Sequence, residues 1–353
     1  MSEERAVVRV GIVGLGRSGW NIHAAALATL PEQYRVVAVS DPLVERQAEA
    51  RARFGCRAYT DFADLIADDE VELATIASPS HLHVEQAIAA MRAGKNVLVE
   101  KPFAPSGEDA DRLIAVARET GRLLTCNQNC RYYPDFLKVR EVLGSGVLGE
   151  IIQIRIAWHQ FTRRWDWQTL REYRGGTLNN NMSHIVDQEL LLLGEVELDV
   201  PCWMVRTPLS SGEAEDHVKV VLSAPGKPTI DLEVTAAAAY PQDRWLVMGS
   251  QGGLVGTAYQ LRWKSFDPAL LPARAVDTAP TPDRRYNDET FPWVEESAEI
   301  PRDGSRKANA QVYRSLYPAL REGAPLPITA ESVRRQIAVL DACRAQVRAE
   351  IIG

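Results

Sequence analysis

The sequence has no long hydrophobic run, no basic run and few cysteines, and each shortage removes a class of function. Its apolar stretches fall well short of the roughly 20 residues that cross a bilayer, so no membrane-spanning segment is expected. Lysine and arginine are outnumbered by acids, for a net charge of −7. That balance argues against a nucleic-acid partner, which needs a concentrated basic surface. Cys56, Cys126, Cys130, Cys202 and Cys343 are odd in number and dispersed, and they read as reduced, buried thiols, not a disulfide framework. No second Cys or His pair accompanies Cys126 and Cys130 at zinc-binding spacing, and nothing adjacent completes a site around His81 and His83. No metal is expected. The opening Met1-Ser2-Glu3-Glu4-Arg5 carries two acids and runs straight into a strand-like segment. A secretory signal does not look like this, so a cytoplasmic location is expected.

The composition that remains is that of an ordinary globular chain: 353 residues, 46% hydrophobic and 25% charged, enough for about two domains. Residues 6–125 alternate short β-branched runs with amphipathic stretches, the pattern of βαβ units on a parallel sheet. Strands are predicted at Val7–Val13, Arg35–Ser40, Leu73–Ala77, Asn96–Glu100 and Leu123–Asn127. Helices are predicted over Ser18–Leu30, Pro42–Phe54, His81–Ala93 and Ser106–Thr120, with Gly94 and Gly121 placed to end two of them. The rhythm changes after about Cys126. Helices are expected over Pro134–Leu143 and Thr177–Leu193, an extended run over Glu150–Trp158, and several strands between Cys202 and Phe266. Thr229–Val234 alternates apolar and polar residues, as a strand wet on one face does. Residues 268–306 are Pro-rich and read as a surface excursion, and helices over Lys307–Arg321 and Ala330–Glu350 close the chain. The expected fold is α/β: a doubly wound parallel sheet in a domain 1–125, then an α+β domain 126–353 with an open, mostly antiparallel sheet.

Val7–Val13 leads into Gly14-Leu15-Gly16-Arg17-Ser18-Gly19, a G-x-G-x-x-G that opens a helix. The first glycine permits a tight turn and the second lets a pyrophosphate approach the backbone. The third lets the helix lie close to the strand, its N-terminal amides facing the phosphates. Asp41 ends the next strand, where a carboxylate accepts hydrogen bonds from ribose hydroxyls and repels a 2′-phosphate, so NAD is favoured over NADP. Arg17 and Arg46 are the nearest basic residues, and Arg46 is expected over the adenine.

Ligands of doubly wound sheets lie at the carboxyl ends of the strands, which is where Glu100-Lys101-Pro102 falls. A buried lysine beside a cationic ring has a lowered pKa, and Lys101 is therefore a candidate general base. In Gly175-Gly176 through Gln188, a helix would put Asn180, His184 and Asp187 on one stripe while Met182, Ile185, Val186 and Leu190 face a core. A histidine in that stripe suits a site, though a satisfied core histidine is the alternative.

The glycine motif, Ser78-Pro79-Ser80-His81-Leu82-His83, Glu100-Lys101-Pro102, Asn129-Cys130-Arg131-Tyr132 and Gly175-Gly176 through His184 and Asp187 occur in an order and spacing that together resemble the glucose–fructose oxidoreductase, inositol dehydrogenase and MocA family, essentially end to end. The resemblance implies hydride transfer between nicotinamide and a carbinol carbon of a sugar or cyclitol. It implies that Lys101 is the catalytic lysine, that His184 transfers protons, and that Ser78, Pro79, His83 and Glu100 line the cofactor with Gly14, Gly16, Arg17, Ser18 and Gly19. One departure stands out: many members carry aspartate four residues before the histidine, and this chain has Asn180. The missing charge should leave the pKa values of Lys101 and His184 lower. The stretch from His159 through Arg163, Arg164, Trp165 and Trp167 mixes aromatic faces with polar groups. With Arg131 and Asp187 it forms the candidate substrate surface, for a hydroxylated ring or for an acidic sugar gripped by arginine. Packing against a neighbouring subunit is the alternative for that loop. The family's members commonly self-associate, and a homo-oligomer, dimer or tetramer, is expected. Two rival activities remain open at this stage: an NAD-recycling glycoside hydrolase or isomerising enzyme of the same fold, and an NAD-binding regulator without turnover.

Overall fold

A computed structural model describes residues 7–280, 284–346 and 350–351. The opening Met1-Ser2-Glu3-Glu4-Arg5, expected not to be a signal, lies outside the described residues.

Six short strands form the first sheet: β1 (Val8–Val13), β2 (Tyr34–Ser40), β3 (Arg57–Tyr59), β4 (Leu73–Ile76), β5 (Asn96–Val99) and β6 (Leu124–Cys126). All pair in parallel, in the order β3-β2-β1-β4-β5-β6. β1 and β4 are neighbours although two strands intervene in sequence, and the crevice above this reversal is where a ligand sits in such sheets. β4 is buried along its whole length and β1 nearly so, as expected of strands covered by helices on both faces. Those helices are α1 (Ala25–Leu27, continuing a π-helical turn Gly19–Ala24), α2 (Val44–Phe54), α3 (Phe62–Ala67), α4 (His83–Arg92) and α5 (Gly107–Thr120). α5 shows why the chain stops and starts where it does. Ser106 caps its first turn by accepting the Asp109 N–H, and Gly121 ends it at φ 65°. β3 and α3 were not foreseen, because three and six residues are too few to establish a period.

The second sheet has nine strands: β7 (Ile151–His159), β8 (Cys202–Arg206), β9 (His217–Leu222), β10 (Thr229–Thr235), β11 (Trp245–Gly249), β12 (Gly252–Gly256), β13 (Gln260–Ser265), β14 (Val294–Glu299) and β15 (Glu350–Ile351). Their order is β14-β13-β12-β11-β7-β10-β9-β8-β15, antiparallel except for β7 with β10 and β8 with β15. β9 and β10 alternate buried with half-buried residues. The buried face packs under α6 (Pro134–Gly144), α7 (Ser183–Leu193) and the far half of α9 (Ala330–Gln346). Two expectations are corrected here. The Pro-rich excursion contains β14, whose pairing with β13 supplies what its weak periodicity did not. The last helix is described over Ala330–Gln346, and Glu350, expected to be its last residue, belongs to a strand instead.

α8 (Gly304–Glu322) returns to the first sheet: Ala310, Val312, Tyr313, Leu316 and Ala319 join its core. α9 serves both cores, Val333 and Ile337 in the first, Val339, Leu340 and Cys343 in the second. All five cysteines are free and buried. Among the described residues no helix is long and apolar enough to cross a membrane.

Candidate active site

The glycine turn after β1 has the shape its motif demands. Gly14 sits at φ 86°, and a Cβ on Gly19 would lie 1.8 Å from the Gly14 carbonyl oxygen, so the helix can approach only as glycine. A Cβ on Gly16 would meet nothing within 4 Å; this is open space over the backbone of the turn, the room a pyrophosphate needs. The helix that follows opens with a π turn, a form often found at functional sites. Ser18 precedes it without a side-chain cap bond, and Arg17 is exposed beside it. These residues fit a dinucleotide.

Asp41 is almost fully buried at the end of β2. Its carboxylate accepts the N–H of Leu15 at 2.7 Å and of Leu43 at 2.9 Å, and the Arg46 guanidinium lies 3.4 Å away. Asp41 thus braces the glycine turn, a role beside the ribose contact expected of it that spacing alone did not show. Ser78 donates to Gln86, Pro79 is exposed, and His83 is buried with Nε2 2.9 Å from the Ser78 carbonyl and Nδ1 2.9 Å from the Pro102 carbonyl. Burial pushes the His83 imidazolium below its ordinary pKa, and the ring ties the loop after β4 to the loop after β5. His83 therefore positions the cofactor-side loops from beneath.

Lys101 leaves the end of β5 and reaches across to the segment before α7, where its Nζ donates to Asn180 Oδ1 at 2.8 Å and contacts the Asn180 carbonyl at 3.3 Å. Burial lowers the Lys101 pKa, the charge of Glu100 opposes this, and Arg17 adds to the lowering. His184 is buried one turn on; burial, then the Lys101 and Arg244 charges, push its pKa down to about 3. Its Nδ1 is buried without a partner, and its ring lies 6.5 Å from Trp158, which carries the Arg244 guanidinium 4.6 Å from its centroid. The helix expected over Thr177–Leu193 begins as a π turn, Leu178–Met182, before α7. Asn180 lies in that wider turn and His184 in the regular helix, so the ideal i, i+4 stripe is not kept.

Asp187 and Arg131 take a different part from the substrate-facing one expected of them. The guanidinium binds the carboxylate through two bonds of 2.7 Å and also donates to Ser332. Both partners are buried, and a charge so enclosed is stable only while paired. The pair clamps the helical turn after β6 to α7. In the aromatic loop, Trp165 is 77% and Trp167 is 50% exposed, Arg163 is exposed, and Arg164 binds Asp166 and Gln168. Gln168, not anticipated, connects this loop to the site: its Oε1 lies 3.5 Å from Asn180 Nδ2. Trp158 and Arg244 were also missed, since their relation to His184 depends on β7 and β11 pairing, which local spacing does not reveal.

Residues 8–128 match the oxidoreductase family with an NAD-binding Rossmann fold, Gfo/Idh/MocA, and residues 136–255 match the Gfo/Idh/MocA C-terminal domain. The chain belongs to the Gfo/Idh/MocA oxidoreductase family. It is 27% identical to scyllo-inositol 2-dehydrogenase (NADP(+)) IolW of Bacillus subtilis, over 95% of this chain and 92% of that protein. Inositol 2-dehydrogenase 2 of Saccharopolyspora erythraea is 28% identical over 91% of this chain and 95% of its own. Among solved structures, the WlbA dehydrogenase from Bordetella pertussis, in complex with NADH and UDP-GlcNAcA, superposes with a TM-score of 0.76 at 24% identity, covering 97% of this chain and 98% of its own. The Gfo/Idh/MocA fold is thereby shared along almost the whole chain.

Proposed function

We propose that this Gfo/Idh/MocA protein is an NAD-dependent dehydrogenase acting on a carbinol carbon of a sugar, sugar derivative or cyclitol, with residues 1–125 holding the dinucleotide and 126–353 the substrate. The observation that carries the reading is the 2.8 Å contact between Lys101 Nζ and Asn180 Oδ1, which joins the ligand edge of the first sheet to the helical turn of the second region. A bound dinucleotide supplies the nicotinamide ring that accepts a hydride. The proton is left to the protein. Lys101, its pKa lowered by burial, offers an amine to the substrate hydroxyl and takes its proton at Nζ. Asn180 holds that nitrogen in place. His184 stays neutral across the working range, so it positions the hydroxyl by hydrogen bonding while Lys101 acts as the base.

The substrate surface suits a neutral polyol. Next to Asn180 the cavity is lined by Thr162, Gln168, Thr177, Asn181 and Thr235, hydroxyl and amide groups that exchange hydrogen bonds with ring hydroxyls. Arg164, the arginine that also lines it, is already engaged by Asp166 and Gln168, which weakens the case for an acidic sugar. Asp41 favours NAD, because a 2′-phosphate would lie against its carboxylate. A cytoplasmic homo-oligomer completes the proposal. The test is NAD reduction, followed by NADH absorbance, against inositols, aldoses, glycosides and sugar acids. Reduction with a neutral polyol is expected; aryl-glycoside cleavage without net NADH, or binding without turnover across the panel, overturns the reading.

A further inference from the structure

Behind the strand ends lies a chain of buried polar groups that the mechanism above does not use. Thr75 Oγ1 on β4 is 3.2 Å from the hydroxyl of Tyr313 on α8, which is 2.8 Å from His23 Nδ1 in the π turn. His23 Nε2 is 3.1 Å from Glu100 Oε1, to which Asn127 Nδ2 also donates at 2.6 Å. The other oxygen, Oε2, accepts the backbone N–H of Lys101 at 2.9 Å. His23 and Tyr313 are 0% and 1% exposed, so neither reaches a ligand. Burial raises the Glu100 pKa, but the hydrogen bonds from His23 and Asn127 and the charges of His23 and Lys101 bring it down to about 2. Glu100 is thus a carboxylate, which can only accept, so His23 Nε2 carries a hydrogen. On the other side of the ring Nδ1 meets the Tyr313 hydroxyl, which in turn meets Thr75 Oγ1. Tyr313 is itself held, its carbonyl accepting the Tyr34 hydroxyl at 2.7 Å and its ring packed edge-on against Tyr34 and His23.

We propose that His23 and Tyr313 are positioning residues for proton transfer: they hold the Glu100 carboxylate where it binds the Lys101 backbone N–H and where its negative charge favours the Lys101 ammonium. This rests on the reading of Lys101 as the proton acceptor. The other groups acting on Lys101 are Arg17 from the glycine turn, Cys126 from β6 and Cys130 from the turn after it, with His184 beyond on α7. Around Glu100 stand His23, Lys101, His83 and Tyr313. Of all these, Glu100 is the principal group that favours the ammonium. If the chain is broken, Glu100 turns or takes up a proton, and Lys101 loses its proton at lower pH.

Three substitutions test this: His23→Leu, which removes the donor to Glu100; Tyr313→Phe, which removes only the hydroxyl behind it; and His23→Gln, whose amide can replace Nε2–H. Two readouts are needed, the pH profile of kcat/KM on the best polyol and the pH dependence of Lys101 acetylation by acetic anhydride, followed by peptide mass spectrometry. The second requires no turnover, so it decides this proposal even if no substrate reacts, and failure of the dehydrogenase reading stays distinguishable. The expected midpoint moves about one pH unit lower in His23→Leu and a few tenths lower in Tyr313→Phe, with most of the shift recovered in His23→Gln. Should His23→Leu not fold, the other two variants still decide. Folded variants that lose turnover while the Lys101 midpoint stays put would show a purely structural role and overturn the proposal.

Discussion

Two buried glutamates behave in opposite ways. Glu100, at the end of β5, is 4% exposed and Glu189, inside α7, is 0% exposed. Burial pushes both carboxyls up. At Glu100 that push is overcome by donors from His23 and Asn127, and the group ends near 2. At Glu189 neither oxygen has a hydrogen-bond partner, nothing opposes burial, and the pKa rises to about 8. One is therefore a fixed negative charge and the other a neutral acid at pH 7. Burial sets the size of the penalty; prearranged donors decide whether the charge survives it. Glu100 has those donors at the end of β5, and Glu189 inside α7 does not.

The largest effect should come from removing the group that the Glu100 charge supports. Lys101→Met is expected to lower turnover by ~10²-fold or more, as loss of acid–base help commonly does. NAD affinity, measured by fluorescence, should change far less. Glu189 should have its effect on stability instead. Its folded pKa lies above the unfolded value near 4.5, so the folded state holds the extra proton and loses stability as pH rises between 4.5 and about 8. At about 1.4 kcal/mol per unit, the pH-dependent part of the gain from Glu189→Leu should be on the order of 3 kcal/mol at pH 7 and should vanish below pH 4.5. Thermal melts at pH 4.5 and 7.5 check this; equal differences at both would mean that Glu189 is neutralised by something other than its own proton.

The contrast between the two glutamates was invisible in the sequence, and the reason is general. Strand and helix periods, the glycine turn, Asp41 and the strand-end Lys101 are local, and local pattern reveals them. Partners brought from afar are not local. His23 meets Tyr313 across 290 residues, and Arg131 meets Asp187 across 56; the second pairing turned two expected substrate contacts into a clamp. β14 emerged from Pro-rich sequence because β13 provides its hydrogen bonds. The π turn at Leu178–Met182 also escaped notice, since its residues fit an α-helix equally well.

Asn180 allows the comparison to be moved into the site itself. An aspartate there would place a second carboxylate against Lys101 Nζ, which now meets an amide oxygen at 2.8 Å. Added negative charge favours the ammonium, so the base is freed only at higher pH. Asn180→Asp should move the rising limb of kcat/KM up by about one unit. An unmoved limb would show that Asn180 is not coupled to the proton acceptor.

The smallest effect is expected at Asp41, a third buried carboxylate whose donors are backbone amides. Because Leu15 and Leu43 both donate to it, Asp41→Ser removes a brace of the glycine turn together with the charge that repels a 2′-phosphate. The hydroxyl can replace one of those bonds, and Arg46, released from its 3.4 Å contact, becomes available to a phosphate. The ratio of kcat/KM for NAD over NADP should fall by about tenfold or less, ~1 kcal/mol, with NAD losing more than NADP gains because the turn is loosened for both. An unsubstituted protein that uses both cofactors equally would show that Asp41 serves the turn alone. A variant that loses NAD and NADP in equal proportion would place its whole effect in the backbone bonds, and then backbone donors would be fixing a carboxylate for structure at β2 as side-chain donors fix Glu100 for chemistry at β5.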